Sequence, residues 1–199
     1  MKVTTIVGDN SLKQNTYIVE DNQTTILIDC GASLESILEE YEIENKKKLP
    51  KIDSIFLTHT HFDHTLGLES VVKTFNAPVF VRGGCSSWIE SPYYNASGMF
   101  NRPLTYRPPI INEISTEDDI VVENMKITPF FTPGHTDCSM CYKIGQYLFT
   151  GDTKFYLLVG RTDLPTGSHN KLIKSLNLIQ SIDCDLCYPG HGIPFINKQ

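Results

Sequence analysis

No apolar run in this 199-residue sequence approaches the roughly 20 residues that a bilayer-spanning helix needs. Met1 and Lys2 lead directly into strand-like residues, without the apolar segment and small-residue cleavage site of a secretory leader. A cytoplasmic protein with no membrane partner is the expectation. Basic residues are also in short supply: 17 Lys and Arg against 23 Asp and Glu leave a net charge of −6. The only lysine run, Lys46-Lys47-Lys48, closes a predicted helix, so the footprint of a nucleic-acid binder is missing and a small-molecule substrate is expected. The chain length suits one domain over residues 1–199, working as a monomer or homodimer.

Four of the six cysteines form two Cys-x-x-Cys pairs, Cys138/Cys141 and Cys184/Cys187, with 42 residues between them, more than zinc ribbons use. Both pairs fall in strand-like segments, where residues three apart point to opposite faces. Buried thiols in a reducing compartment are therefore expected, with no structural zinc.

Histidine is scarce too, and its distribution is informative. Of six, three stand in His59-x-His61-x-Asp63-His64, between the strand-like residues 52–57 and the helical spacing of residues 65–75. Three imidazoles and a carboxylate make a donor set for divalent zinc, iron or manganese. His59 and His61, two apart, point one way, while Asp63 and His64 fan outward from the helix start, which suggests two metal ions. His135, Asp152 and His191 each follow a predicted strand and each adjoin a glycine. His169, at a helix start, is expected to be solvated.

Strand-like runs at residues 3–7, 16–20 and 24–29 predict an antiparallel meander with turns at residues 8–10 and 21–23. Asp29 ends it, either orienting a metal-bound group or forming a turn before Gly31. Ser33 caps a predicted helix with Leu34, Ile37, Leu38 and Tyr41 on one stripe. A second helix, residues 170–182, carries Leu172, Ile173, Leu176 and Ile179. Residues 82–112 break every period and hold Trp88, Tyr93, Tyr94, Phe100 and Tyr106, a predicted wall for an organic substrate.

The run His59-x-His61-x-Asp63-His64, then His135, Asp152 and His191, resembles the metallo-β-lactamase superfamily. Gly160-Arg161-Thr162-Asp163 and Pro189-Gly190-His191-Gly192 further resemble its glyoxalase II-like hydrolases in a short form. The resemblance implies an α/β fold: an αβ/βα four-layer sandwich, two mixed β-sheets flanked by helices. It assigns His59, His61 and His135 to one divalent metal, Asp63, His64 and His191 to a second, and Asp152 to a bridge, with zinc first among the candidates and iron or manganese compatible. It also implies a hydroxide bridging the two metals that attacks a thioester, S-lactoylglutathione or a related acyl-thiol, with Asp63 relaying the proton. Arg161 stands where larger relatives bind substrate; it could hold a carboxylate or peptide-like group, or pair with Asp163 in a turn. The chain stops eight residues after His191, without the C-terminal glutathione-binding helical segment of larger glyoxalases. Persulfide dioxygenases share the same motifs but use one iron on His59, His135 and Asp152, and form the alternative. A cysteine-ligand β-lactamase would want Cys at Asp152, and a flavin-linked diiron reductase Glu at His61.

Overall fold

Three antiparallel strands open the chain, β1 (Lys2–Val7), β2 (Asn15–Glu20) and β3 (Thr25–Ile28), paired from Lys2 opposite Glu20 to Tyr17 opposite Ile28. The computed structural model describes residues 1–8 and 11–197; part of the turn expected at residues 8–10 lies outside the described residues. Parallel crossovers through α1 (Leu34–Asn45) and α2 (Leu68–Phe75) add β4 (Ser54–Phe56) and β5 (Val79–Arg82), and the irregular stretch after β5 leads to the parallel β6 (Ile111–Ile114), completing a six-stranded mixed sheet. The second sheet comprises β7 (Ile120–Val122), β8 (Met125–Phe131), β9 (Met140–Ile144) and β10 (Tyr147–Gly151), then α3 (His169–Ser181) and β11 (Leu186–Pro189). Its order is β11-β10-β9-β8-β7, antiparallel except for the β10/β11 pair. This is the metallo-β-lactamase fold, helices outside two facing mixed sheets.

Three apolar layers follow from strand alternation. On β2, Tyr17 and Val19 face the second sheet, meeting Met140, Tyr142 and Phe149, while Ile18 faces the helices among Ile37, Val71 and Val72. A third cluster puts Ile179 of α3 against Cys141 and Leu148 on the far side. Both faces of β2 and β3 are covered, so these strands are buried throughout.

Several local readings need correction. The stripe on α1 is narrower than expected, because Leu38 is exposed while Ile37 and Tyr41 are buried. On α3, Ile173 is exposed and Ser175 is buried instead, donating to the Pro133 carbonyl. The helix after His64, α2, starts at Leu68 rather than near residue 65. Residues 64–67 are tied to Cys30, whose N–H donates to the His64 carbonyl and whose carbonyl accepts from Gly67, and this holds a 3₁₀ turn at Phe62–His64. All six cysteines are free and buried. Cys138 and Cys141 do face opposite layers, but the Cys184 and Cys187 sulfurs lie 3.9 Å apart in one cluster. Cys184 precedes β11, so strand alternation does not apply to it.

Phe56 stacks on Phe80 at 4.5 Å and meets Tyr142 edge-on at 5.4 Å, fully buried between the sheets. Phe56→Ala is expected to lower stability by about 3–5 kcal/mol with retained cooperativity, read by urea denaturation. A loss below about 1 kcal/mol would show that the intersheet layer is not closely packed there.

Candidate metal centre

Every candidate ligand lies beyond the C-terminal end of a strand or in the turn leading to α2. His59 and His61 follow β4, Asp63 and His64 occupy the 3₁₀ turn, and His135, Asp152 and His191 follow β8, β10 and β11. Contributions from both sheets meet there. The Thr58 carbonyl accepts from Met140 N–H at 2.8 Å, and the Tyr142 hydroxyl donates to the Leu57 carbonyl at 2.8 Å. From the first sheet, Asn15 donates to the carbonyls of Pro189 and Gly192 at 3.0 and 2.9 Å, bracketing His191.

The donor atoms form two triplets, His59/His61/His135 and Asp63/His64/His191, each with atoms within 4.8 Å of one another, and a third grouping joins Asp152 to His59 and His64. Asp152 reaches both sides. Its Oδ1 lies 3.3 Å from His64 Nε2, and its Oδ2 lies 3.6 Å from His135 Nε2 and 3.5 Å from His191 Nε2. Gly190 makes this approach possible, since a Cβ there would stand 2.2 Å from Asp152 Oδ1.

Several rings are fixed from behind. Asp29, at φ +59°, accepts from Thr58 N–H at 2.7 Å and Thr58 Oγ1–H at 2.8 Å, and its Oδ2 lies 2.7 Å from His64 Nδ1. His135 Nδ1 pairs with the Arg161 carbonyl at 2.8 Å and His191 Nδ1 with the Leu12 carbonyl at 3.0 Å, so in all three rings Nε2 turns inward. His59 Nε2, His61 Nε2, His64 Nε2 and Asp152 Oδ1 are buried without hydrogen-bond partners. Buried polar atoms normally have partners, and these are donors a cation would satisfy, so the residues fit a metal centre.

The protonation pattern agrees. Burial, reinforced by neighbouring imidazoles, pushes His59 well down, and burial with His135 beside it pushes His61 down to about 3, so both present neutral nitrogens. At His64 burial acts downward, but Asp29, Asp152 and Asp63 outweigh it and raise the imidazole well above its ordinary range. Burial would raise the carboxyl of Asp152, yet His64, His135 and His191 hold it low. Negative charge thus collects where a cation would sit.

The profile of the Metallo-beta-lactamase superfamily matches residues 10–191. The chain belongs to that superfamily. A probable metallo-hydrolase of Methanocaldococcus jannaschii is 34% identical over 185 residues, covering 89% of this chain and 87% of that protein. An atrochrysone carboxyl ACP thioesterase of Aspergillus fumigatus is 29% identical over 191 residues, covering 93% of this chain and 52% of that protein. The crystal structure of the B3 metallo-beta-lactamase BLEG-1 superposes with a TM-score of 0.88 at 27% identity, covering 98% of this chain and 94% of that one.

The structure places both sets of expected substrate contacts. The Arg161 guanidinium lines the cavities beside the ligands and is engaged by Asp163 through two contacts of 2.6 and 2.7 Å, holding that carboxyl down to about 2. In the loop of residues 82–112, Trp88 stacks on Tyr94 and packs with Tyr106 against the helix layer; only Ala96 and Phe100 line a small cavity of about 160 Å³ beside the ligands. The main wall is residues 155–159, a five-residue apolar run that the sequence reading passed over. Its position three residues beyond Asp152 was the available signal.

Asp29→Asn keeps the side chain's volume and tolerates the left-handed backbone, but an amide cannot accept from both Thr58 and His64. Metal affinity, measured by chelator competition, is expected to fall about 10- to 100-fold with the fold intact. Unchanged affinity would show that Asp29 does not orient His64 for a metal.

Proposed function

We propose that the protein is a metal-dependent hydrolase of acyl thioesters, related in mechanism to the glyoxalase II-like enzymes and working with two divalent ions. The observation that carries this reading is the pair of ligand triplets converging around one carboxylate. His59, His61 and His135 would hold one ion and Asp63, His64 and His191 the other, with Asp152 between them. Imidazole and carboxylate donors suit zinc first, with iron or manganese compatible. Bound there, metal ions would supply Lewis acidity and would lower the pKa of a bound water toward 7.

The chain's own residues supply position and proton handling. Asp29 and the carbonyls of Leu12 and Arg161 fix the rings from behind. Asp63 Oδ2, 3.2 Å from His191 Nε2, is a carboxylate placed to accept a proton at the mouth of the cluster. Among the described residues lining the two cavities beside the ligands there is no serine or cysteine, which supports a reaction without a side-chain nucleophile. A thioester suits such a site because a thiolate leaves with little help from a general acid. The name of the Aspergillus relative, a thioesterase, supports the same substrate class.

The competing reading, a one-iron persulfide dioxygenase on His59, His135 and Asp152, would give the Asp63/His64/His191 triplet no ion to hold. Elemental analysis of protein purified anaerobically without added metal tests the choice. About two ions per chain with thioester turnover is the expected result, and Asp152→Asn should lower both metal retention and turnover at least tenfold. One iron per chain, with oxygen uptake on persulfides and no thioester turnover, would overturn the proposal.

A further inference from the structure

Three residues beyond Asp152 the chain runs Phe155-Tyr156-Leu157-Leu158-Val159, and these side chains, with Ile193, wall a cavity of about 640 Å³ whose floor is His135, Asp152 and His191. Leu157 is 78% exposed, Leu158 72% and Ile193 63%. A contiguous exposed apolar patch of this kind marks a binding surface. The loop bearing it is held in place: Lys154 and Val159 form a β-bridge, Phe155 N–H donates to the Leu158 carbonyl at 2.9 Å, and Phe155 meets the His191 ring at 6.0 Å. At its far end Gly160 lies so close to the Asp152 carbonyl that a Cβ would stand 1.9 Å from that oxygen. The apolar wall is thus locked to the backbone of the central ligand, in register with the reacting centre.

Charge decides what this groove can hold. Apart from the ligand side chains, the only charged residue lining it among the described residues is Arg161, whose guanidinium is engaged by Asp163. A charged peptide arm such as that of glutathione would meet hydrocarbon with no unpartnered cation, whereas an alkyl or aryl arm would bury its surface against five apolar side chains. The small cavity shares His135, Asp152, Arg161 and His191 with the large one, so the two meet at the ligand cluster and a scissile carbonyl there can have one arm in each.

We propose that the groove walled by residues 155–159 and Ile193 is an acyl-binding pocket, and that the substrates carry an uncharged, apolar acyl group. The inference rests on the thioester-hydrolase reading above. The test pairs two series on one small thiol, N-acetylcysteamine: thioesters from acetyl to octanoyl, and uncleavable alkyl thioethers of matching length, both with the metal-loaded protein. Expected are a rise in kcat/KM of about three- to fourfold per added methylene until the pocket fills, and a parallel tightening of thioether binding by calorimetry. Leu158→Asp should cut the octanoyl-to-acetyl ratio of kcat/KM at least tenfold, while Val121→Asp, at an exposed apolar position on β7 away from the groove, should leave that ratio unchanged.

Thioester turnover with no dependence on chain length would overturn the pocket and leave the hydrolase reading standing. Chain-length-dependent thioether binding abolished by Leu158→Asp, without turnover of any thioester, would support the groove as an apolar-ligand site and remove the reaction. A stable dimer that Leu158→Asp dissociates, together with flat chain-length profiles, would mean that a second copy covers the patch and would overturn the proposal.

Discussion

Burying His59, His61, His64 and Asp152 at the end of the sandwich leaves four polar atoms without a hydrogen-bond partner, and the surrounding chain is built to keep them so. An unsatisfied buried polar atom costs about 1–3 kcal/mol. The fold could relieve that by turning the rings, but Asp29 holds His64 by its Nδ1, and the Arg161 carbonyl does the same for His135. Each such bond commits the distal nitrogen to the centre. The polypeptide therefore stores an electrostatic need that a cation answers, and at His64, where burial acts downward, Asp29, Asp152 and Asp63 outweigh it and raise the imidazole above its ordinary range.

Because the ligands come from both sheets, the site inherits its precision from the layer between them. Tyr142, packed edge-on against Phe56, reaches through that layer to the Leu57 carbonyl, two residues before His59. Met140 on the same strand donates to Thr58, whose own N–H and hydroxyl are gripped by Asp29. In the other direction, Asn15 of β2 ties down the turn bearing His191. A shift of one sheet against the other would separate the two triplets, so the intersheet aromatics matter to the centre as much as to stability.

Much of this was legible in the letters because it follows short rules. Strand-like runs and turn residues located β1, β2 and β3, and the gathering of five histidines around predicted strand ends pointed to the cluster. What escaped was decided by tertiary contact. The helix after His64 begins late because Cys30, distant in the fold's logic though not in space, holds its first turn. Ser175 is buried where Ile173 was expected because the Pro133 carbonyl needs a donor. The aromatic loop looked like the substrate wall, yet Trp88 and Tyr106 are absorbed by packing on the helix layer. Residues 155–159 drew no role from the sequence, and only the fold reveals that residues 156–159 stay exposed beside the ligands.

That contrast bears on how one fold serves several reactions. Ligands fixed at strand ends cannot vary without losing the metal site, whereas a loop such as residues 155–159 can change its side chains with little effect on the sandwich, since Leu157 and Leu158 contribute almost nothing to the buried layers. Relatives named as metallo-hydrolase, acyl-carrier thioesterase and β-lactamase are what such a division of labour produces. Family membership then fixes the reacting centre far more tightly than the substrate. In this chain the groove beside the ligands is walled by a stretch of five apolar side chains, anchored through Gly160 to the carbonyl of Asp152, so that the residue central to the ligand cluster also sets the distance from that cluster to the wall.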